Sequence, residues 1–238
     1  MRVVLGVLIC AALASAQQQK TLEDEQFAQL QGLADQVRAV LLARDLPNAS
    51  KLATELGLAS SRFDRILTFT QLEAQLPADG VDRFYSLAHV AIAAYNAVDY
   101  TKAETYANEL LTLAPQYRED HSFHDRSYGD GIFYGNIVLG RVALHRDYNI
   151  PKAKAALLAA GKTPGSPVLN SFGPDMNLAK ELLEIGERDT VLEFFEECRV
   201  FWKMANLEHR LDKWIATVNG CCRLPDFRDN LRDWYGAR

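Results

Sequence analysis

The chain has 238 residues, 48% hydrophobic and 24% charged, with a formal net charge of −5. That is globular composition, long enough to close a core without metal or disulfide staples. Acidic and basic side chains are intermixed and no basic run occurs. Nucleic acid is therefore excluded as a partner, because neutralising phosphates takes clustered Lys and Arg.

Met1-Arg2 makes a short positive start, Val3 to Leu13 is almost wholly apolar, and Ala14-Ser15-Ala16 is a small-x-small cleavage signal before three glutamines. This pattern predicts a secretory signal peptide over residues 1–16 and an exported chain, periplasmic or secreted, over 17–238. The apolar run falls short of the roughly 20 residues of a spanning helix. No later stretch approaches that length, so the mature chain is expected to carry no transmembrane segment. Export implies an oxidising compartment. The mature chain keeps Cys198, Cys221 and Cys222. Cys198 has two readings: a disulfide with Cys221 or Cys222 that staples two C-terminal helices, or a small buried hydrophobe.

Apolar residues then recur at helical spacing almost everywhere. Phe27, Leu30, Leu33, Ala34, Val37 and Leu41 make one face of a first helix, with an acidic start at Glu23-Asp24-Glu25. Leu46-Pro47-Asn48 breaks the chain. A second helix is expected to end at Gly57, and a third to run from about Ser61 to Leu76, stopped by Pro77. Residues 84–117 read as two helices joined at Val98-Asp99-Tyr100. Leu87, Val90, Ala91 and Ala94 lie on the first, and Ala103, Tyr106, Ala107, Leu110 and Leu111 on the second, before Pro115. Small residues at Ala91 and Ala103 let two antiparallel helices approach closely while larger side chains fill the space around the contact.

Residues 84–117 resemble the tetratricopeptide repeat on Ala91, Ala103, Pro115 and the Asp99-Tyr100 turn. They depart from it in having Leu87 where an early Trp is common and Ala94 where a large aromatic is usual. A second unit at 133–164 carries Leu139-Gly140, Ala143, Ala153 and Pro164 in similar places, with one extra residue in its turn. A third at 176–202 carries Leu178-Ala179, a turn at Gly186 to Asp189, then Val191, Phe194, Phe195 and Cys198. Polar residues 118–131 and breaker-rich residues 161–175 interrupt the units as loops. The second of these holds Val168, Leu169 and Phe172 and is expected to pack down. The resemblance implies an all-α fold of stacked antiparallel helix pairs, a tetratricopeptide-like solenoid of about ten to twelve helices in one domain over 17–238. Within it, 17–80 would be divergent N-terminal helices, 81–205 the repeat core, and 206–238 capping helices with Trp214, Trp234 and Tyr235 over the end.

In that family the first helix of each pair lines the concave, ligand-facing surface. The resemblance carries this to Tyr85, Ala88, Ile92, Tyr95 and Asn96 in the first unit and to Tyr134, Ile137, Arg141, Leu144 and His145 in the second. Rings, amides and an arginine suit a peptide: rings give area at low entropy cost and Arg pairs with carboxylates. No nucleophile elbow, phosphate loop or dinucleotide fingerprint occurs. The expected function is thus a non-catalytic exported module that needs no cofactor and binds a peptide or protein segment. The rival from another class is a metal-dependent hydrolase with Asp120, His121, His124 and Asp125 as ligands, since imidazole and carboxylate suit zinc. A structural subunit of a cell-envelope complex is the third reading, and it predicts a large exposed apolar patch.

Overall fold

Every regular element among the described residues is a helix, as a 3.6-residue apolar period requires. The computed structural model describes residues 24–43, 45–118, 128–203, 209–220, 224–227 and 230, and no strand occurs among them. The described helices are α1 (24–42), α2 (Leu46–Ala74), α3 (Gly80–Asn96), α4 (Tyr100–Leu113), α5 (Tyr128–His145), α6 (Ile150–Gly161), α7 (Pro167–Phe172), α8 (Asn177–Glu184), α9 (Arg188–Phe201) and α10 (Arg210–Asn219). A 3₁₀ turn, Ala114–Tyr117, follows α4 with Pro115 in its first turn. None of these helices is long and apolar enough to cross a membrane. The chain divides after Leu67, inside α2, into two compact units.

In the first unit, Leu30, Leu33, Val37 and Val40 of α1 are half-buried, as are Leu52, Leu56, Ala59, Phe63 and Ile66 of α2. The expected break at Gly57 does not occur: α2 runs unbroken for 29 residues. A lone glycine costs a helix about 1 kcal/mol without ending it, and the apolar spacing from Leu52 to Ile66 continues straight through. Gly57 itself is exposed, with open space where a side chain would be.

The second unit is built of three helix pairs, α3–α4, α5–α6 and α8–α9. Each packs within itself, and α4 packs on α5 while α6 packs on α8 and α9. The first helices also touch in series, α3 on α5 and α5 on α8, and α10 covers α9. Ala91 and Ala103 are fully buried, as are Ala143, Ala153 and Ala179. The turns repeat as well. Val98 (φ 66°), Tyr148 (φ 51°) and Gly186 (φ 92°) hold the left-handed position just before the next helix. Asp99 and Asn149 then cap α4 and α6, their side chains accepting from Lys102 N–H and Lys152 N–H at 3.0 Å. The Asp99 N–H donates back to Ala94 O and the Glu187 N–H to Leu182 O, closing helix ends in the Schellman manner. In the middle pair the equivalent bond runs from Asn149 N–H to Ala143 O, one residue longer, as the sequence spacing required.

The two interruptions differ from expectation in two respects, the first being that Pro167–Phe172, read from the sequence as part of a loop, forms α7, capped by Ser166. Residues 128–131, read from the sequence as the Gly-tailed end of a loop, are the first turn of α5. Gly129 lies directly under the carbonyl of Gly165, and Gly131 lies against the Phe84 ring, so glycine is there for close approach and not for flexibility. Residues 161–175 pack down as expected. Thr163 Oγ1 donates to Gly129 O at 2.7 Å, Ser166 Oγ to Asp130 Oδ1 at 2.6 Å, and Leu169 is fully buried. Phe172, by contrast, is 67% exposed. Trp214 is buried against Trp202 and Phe227 at the far end of the stack. Trp234 and Tyr235, assigned to the same cap, lie outside the described residues.

One substitution should act with opposite sign at two glycines. Gly57→Ala should stabilise by about 1 kcal/mol, through helix propensity alone. Gly129→Ala should destabilise by about 1–3 kcal/mol, because its Cβ meets backbone that has nowhere to go. Thermal melts read this directly, at about 2–4 °C per kcal/mol for a chain of this size.

Candidate functional site

The first helices of the three pairs bring four polar or aromatic side chains together. Tyr95 comes from the last turns of α3, Arg141 and His145 from the last turns of α5, and Glu181 from the middle of α8. The Arg141 guanidinium lies over the Tyr95 ring, 4.2 Å from its centroid. Its Nε and Nη2 donate to Glu181, at 3.1 Å and 2.7 Å to Oε1. His145 Nε2 stands 3.3 Å from Glu181 Oε2, and the His145 ring meets Tyr95 edge-on at 6.1 Å. Tyr100, from the first turn of α4, extends the aromatic row with its ring 5.5 Å from that of Tyr95.

Charge within this patch is balanced. Burial works against the Arg141 cation, yet the Glu181 carboxylate, aided by Tyr95 and Asp175, holds its pKa above the ordinary arginine value. Burial likewise pushes the Tyr95 hydroxyl well above the usual tyrosine range, against the pull of Arg141. Arg141 and Glu181 are both largely shielded, at 18% and 17% side-chain exposure, while His145 is exposed. The patch therefore presents ring edges and an imidazole rather than a free guanidinium, and Asn96, the next residue of α3, is half-buried.

The other positions carried over from the repeat resemblance are less accessible. Ile92 is 7% exposed, Tyr134 4% and Ile137 2%, and all three belong to the core, as does Ala88. Tyr85 and Leu144 are half-buried, with the Tyr85 ring 5.7 Å from that of Phe84. Glu181 and Tyr100 are the members of the patch that sequence reading missed.

Asp120, His121, His124 and Asp125 lie outside the described residues, as do Cys221 and Cys222. Among the described residues no group of three or more His, Cys, Asp or Glu side chains is placed to hold a metal. Cys198 is fully buried as a free thiol, and burial, with Glu197 alongside, raises its pKa well above the usual thiol value. Such a thiol is a poor nucleophile. A separate open cavity of about 500 Å³ lies between the start of α7 and the end of α9, lined by Arg118, Tyr128, Ser166, Asn170, Phe201 and Lys203 among others.

The chain matches no family model, no curated protein and no solved structure.

Two outcomes test this geometry. Glu181→Gln leaves a shielded guanidinium without its counter-charge and should cost about 1–3 kcal/mol in chemical denaturation. Raised tyrosine pKa values set the second. Above about pH 10 the unfolded chain releases tyrosine protons that the folded chain keeps on Tyr95 and on Tyr106, whose hydroxyl is raised by burial and by its hydrogen bond to Glu73. The unfolded state then binds fewer protons, so stability falls as pH rises. Tyr95→Phe should shrink the loss of denaturation midpoint between pH 9 and pH 11 (~2 units of pH spanning the free tyrosine value).

Proposed function

We propose that this chain is a tetratricopeptide-like interaction module of the exported space, holding a peptide or a segment of another protein along the face shared by α3, α5 and α8. It catalyses no reaction in this reading. The observation that carries it is the convergence of Tyr95, Arg141, His145 and Glu181 from three successive first helices onto one partly open patch. These residues come from three successive first helices and touch one another, so a chain segment laid across α3, α5 and α8 would cross all of them at one patch.

The chemistry of the patch sets its preference. Arg141 is neutralised by Glu181 and capped by Tyr95, so an acidic group gains little there. Tyr95, Tyr100 and His145 offer ring surface, and Asn96 and His145 offer hydrogen bonds to a peptide backbone. The segment should thus be neutral, with an apolar or aromatic anchor in contact with the rings. Export rests on the signal-peptide pattern of residues 1–16.

The structural-subunit reading has one observation in its favour, the exposure of Phe27, Leu41, Leu42 and Leu58 in the first unit. It places the working surface on the first unit instead of the second.

Panning a displayed library of random peptides against the purified protein tests the proposal. Enriched peptides should lose at least tenfold in affinity on His145→Ala or Asn96→Ala, both on accessible positions that leave the helical circular-dichroism signal intact. Enrichment that survives both substitutions removes the patch as the binding surface. Stoichiometric zinc in the purified protein would move the function to the hydrolase class.

A further inference from the structure

The first unit leaves apolar surface that its own two helices do not cover. Leu30, Leu33, Val37 and Val40 of α1, spaced three and four apart, are half-buried, and Leu30 lines a cavity shared with Leu58, Phe63 and Ile66 of α2, which puts this seam on the α2 side. On one flank of that seam α1 carries another apolar row at intervals of seven: Phe27, 62% exposed, then Ala34, exposed, then Leu41, 50% exposed. A seam plus a flanking row is the wide stripe of a helix that packs against two neighbours, and α2 supplies one. Among the described residues of 24–67 only Ala49 is fully buried.

We propose that a second copy of this chain docks on this row, α1 against α1, antiparallel about a two-fold axis through Ala34. The row is self-complementary under that operation. Phe27 meets Leu41 of the other copy at each end, and Ala34 meets itself at the centre, where a methyl group lets the two helix axes come close. A surface that matches itself on reversal is what an isologous dimer requires. Charge selects the same direction. Asp24, Gln31 and Arg38 form the neighbouring exposed row, each three residues before a member of the apolar one. With Ala34 on the axis, Arg38 lies four residues to one side and the other copy's Asp24 ten residues to that same side. At 1.5 Å per residue the two are about 9 Å apart along the helix, within the reach of an Arg and an Asp side chain together. Parallel pairing instead sets the two acidic ends, Asp24 and Glu25 of each copy, side by side.

Sedimentation equilibrium of the purified protein over a hundredfold concentration range tests this. A reversible dimer is expected. Leu41→Glu should raise its dissociation constant at least tenfold with helicity unchanged, since the side chain is 50% exposed in the single copy. Asp24→Arg should also weaken the dimer, and the exchange Asp24→Arg with Arg38→Asp should restore it. In a background with Cys221 and Cys222 replaced by serine, a short thiol cross-linker should join two copies carrying Ala34→Cys and leave the background protein unjoined. A monomer at every concentration overturns the proposal. So does a dimer indifferent to Leu41→Glu, and so does a double exchange no better than the single one. Peptide binding on the second unit is read separately and is unaffected by any of these outcomes.

Discussion

Close approach of helix backbones, at positions where no side chain fits, is the constraint on which the second unit depends. It is concentrated on α5. A side chain at Gly131 would enter the Phe84 ring, at Gly135 it would meet Leu111 and the carbonyl of Ala107, and at Gly140 it would meet Leu178 and Ala156. These three glycines turn α5 toward α3 and α4 on one side and toward α6 and α8 on the other. Intrinsic propensity opposes the arrangement, since four glycines in 18 residues cost an isolated helix about 4 kcal/mol. Helix α5 thus forms because its neighbours enclose it. Its own Phe133 and the neighbouring Phe194, Leu157 and Leu178 are almost completely buried.

The same packing shapes the candidate site. Bringing α5 close to α3 and α8 carries Arg141 into a half-enclosed position where water no longer solvates its charge fully. A shielded guanidinium needs a counter-charge and hydrogen bonds, and Glu181 supplies both from the next repeat while Tyr95 covers the open face from the previous one. One side chain therefore links three repeats. It also explains why the patch presents rings rather than free charge: the charge is consumed in holding the patch together. The ion pairs at the turns play a lesser part. Arg146 bonds Glu104 at 2.8 Å and lies beside Asp147, joining successive turns on the surface, where such pairs contribute only about 0–1 kcal/mol each.

How far this was legible depends on which physical signal each residue carried. Ala91, Ala103 and Ala153 were readable because helix crossings demand small residues at fixed intervals, and the turns at Asp99 and Asn149 because capping demands an oxygen there. The extra residue in the α5–α6 turn was visible as a shift in spacing. Gly57 looks like a stop in the sequence, but one glycine does not outweigh the uninterrupted apolar period around it. Gly129 and Gly131 are ambiguous in the sequence because glycine for close approach and glycine for a loop are the same letter; only the Phe84 ring and the Gly165 carbonyl tell them apart. Tyr95, Arg141 and His145 were named from repeat position, but their company was not. Carrying the phase of Gly140 onto Ala179 points to Lys180 as the counterpart of Arg141, and Lys180 instead pairs with Glu184 at 3.1 Å. Glu181, one residue further, is the partner, and no local spacing links it to a residue 40 positions earlier. The burial of Tyr134 and Ile92 is likewise a property of the assembled stack, invisible in any one unit.

The two units differ in what closes their cores, and the difference bears on where partners are needed. In the second, every first helix has a second helix behind it and another first helix beside it, so an apolar face always has a neighbour inside the chain. Phe133, Phe194, Leu182 and Trp202 show the result, each with essentially no exposed surface. In the first unit two helices face each other across one seam, and each seam residue keeps part of its surface in water. A helix pair of this length forms readily, but a single seam buries too little apolar area to fix it firmly. Such elements open at lower free energy than an enclosed stack, and any surface that covers the remaining row on α1 contributes directly to their stability. The self-matching order of Phe27, Ala34 and Leu41 makes a second copy the simplest such surface, because it supplies the missing neighbour without any further sequence.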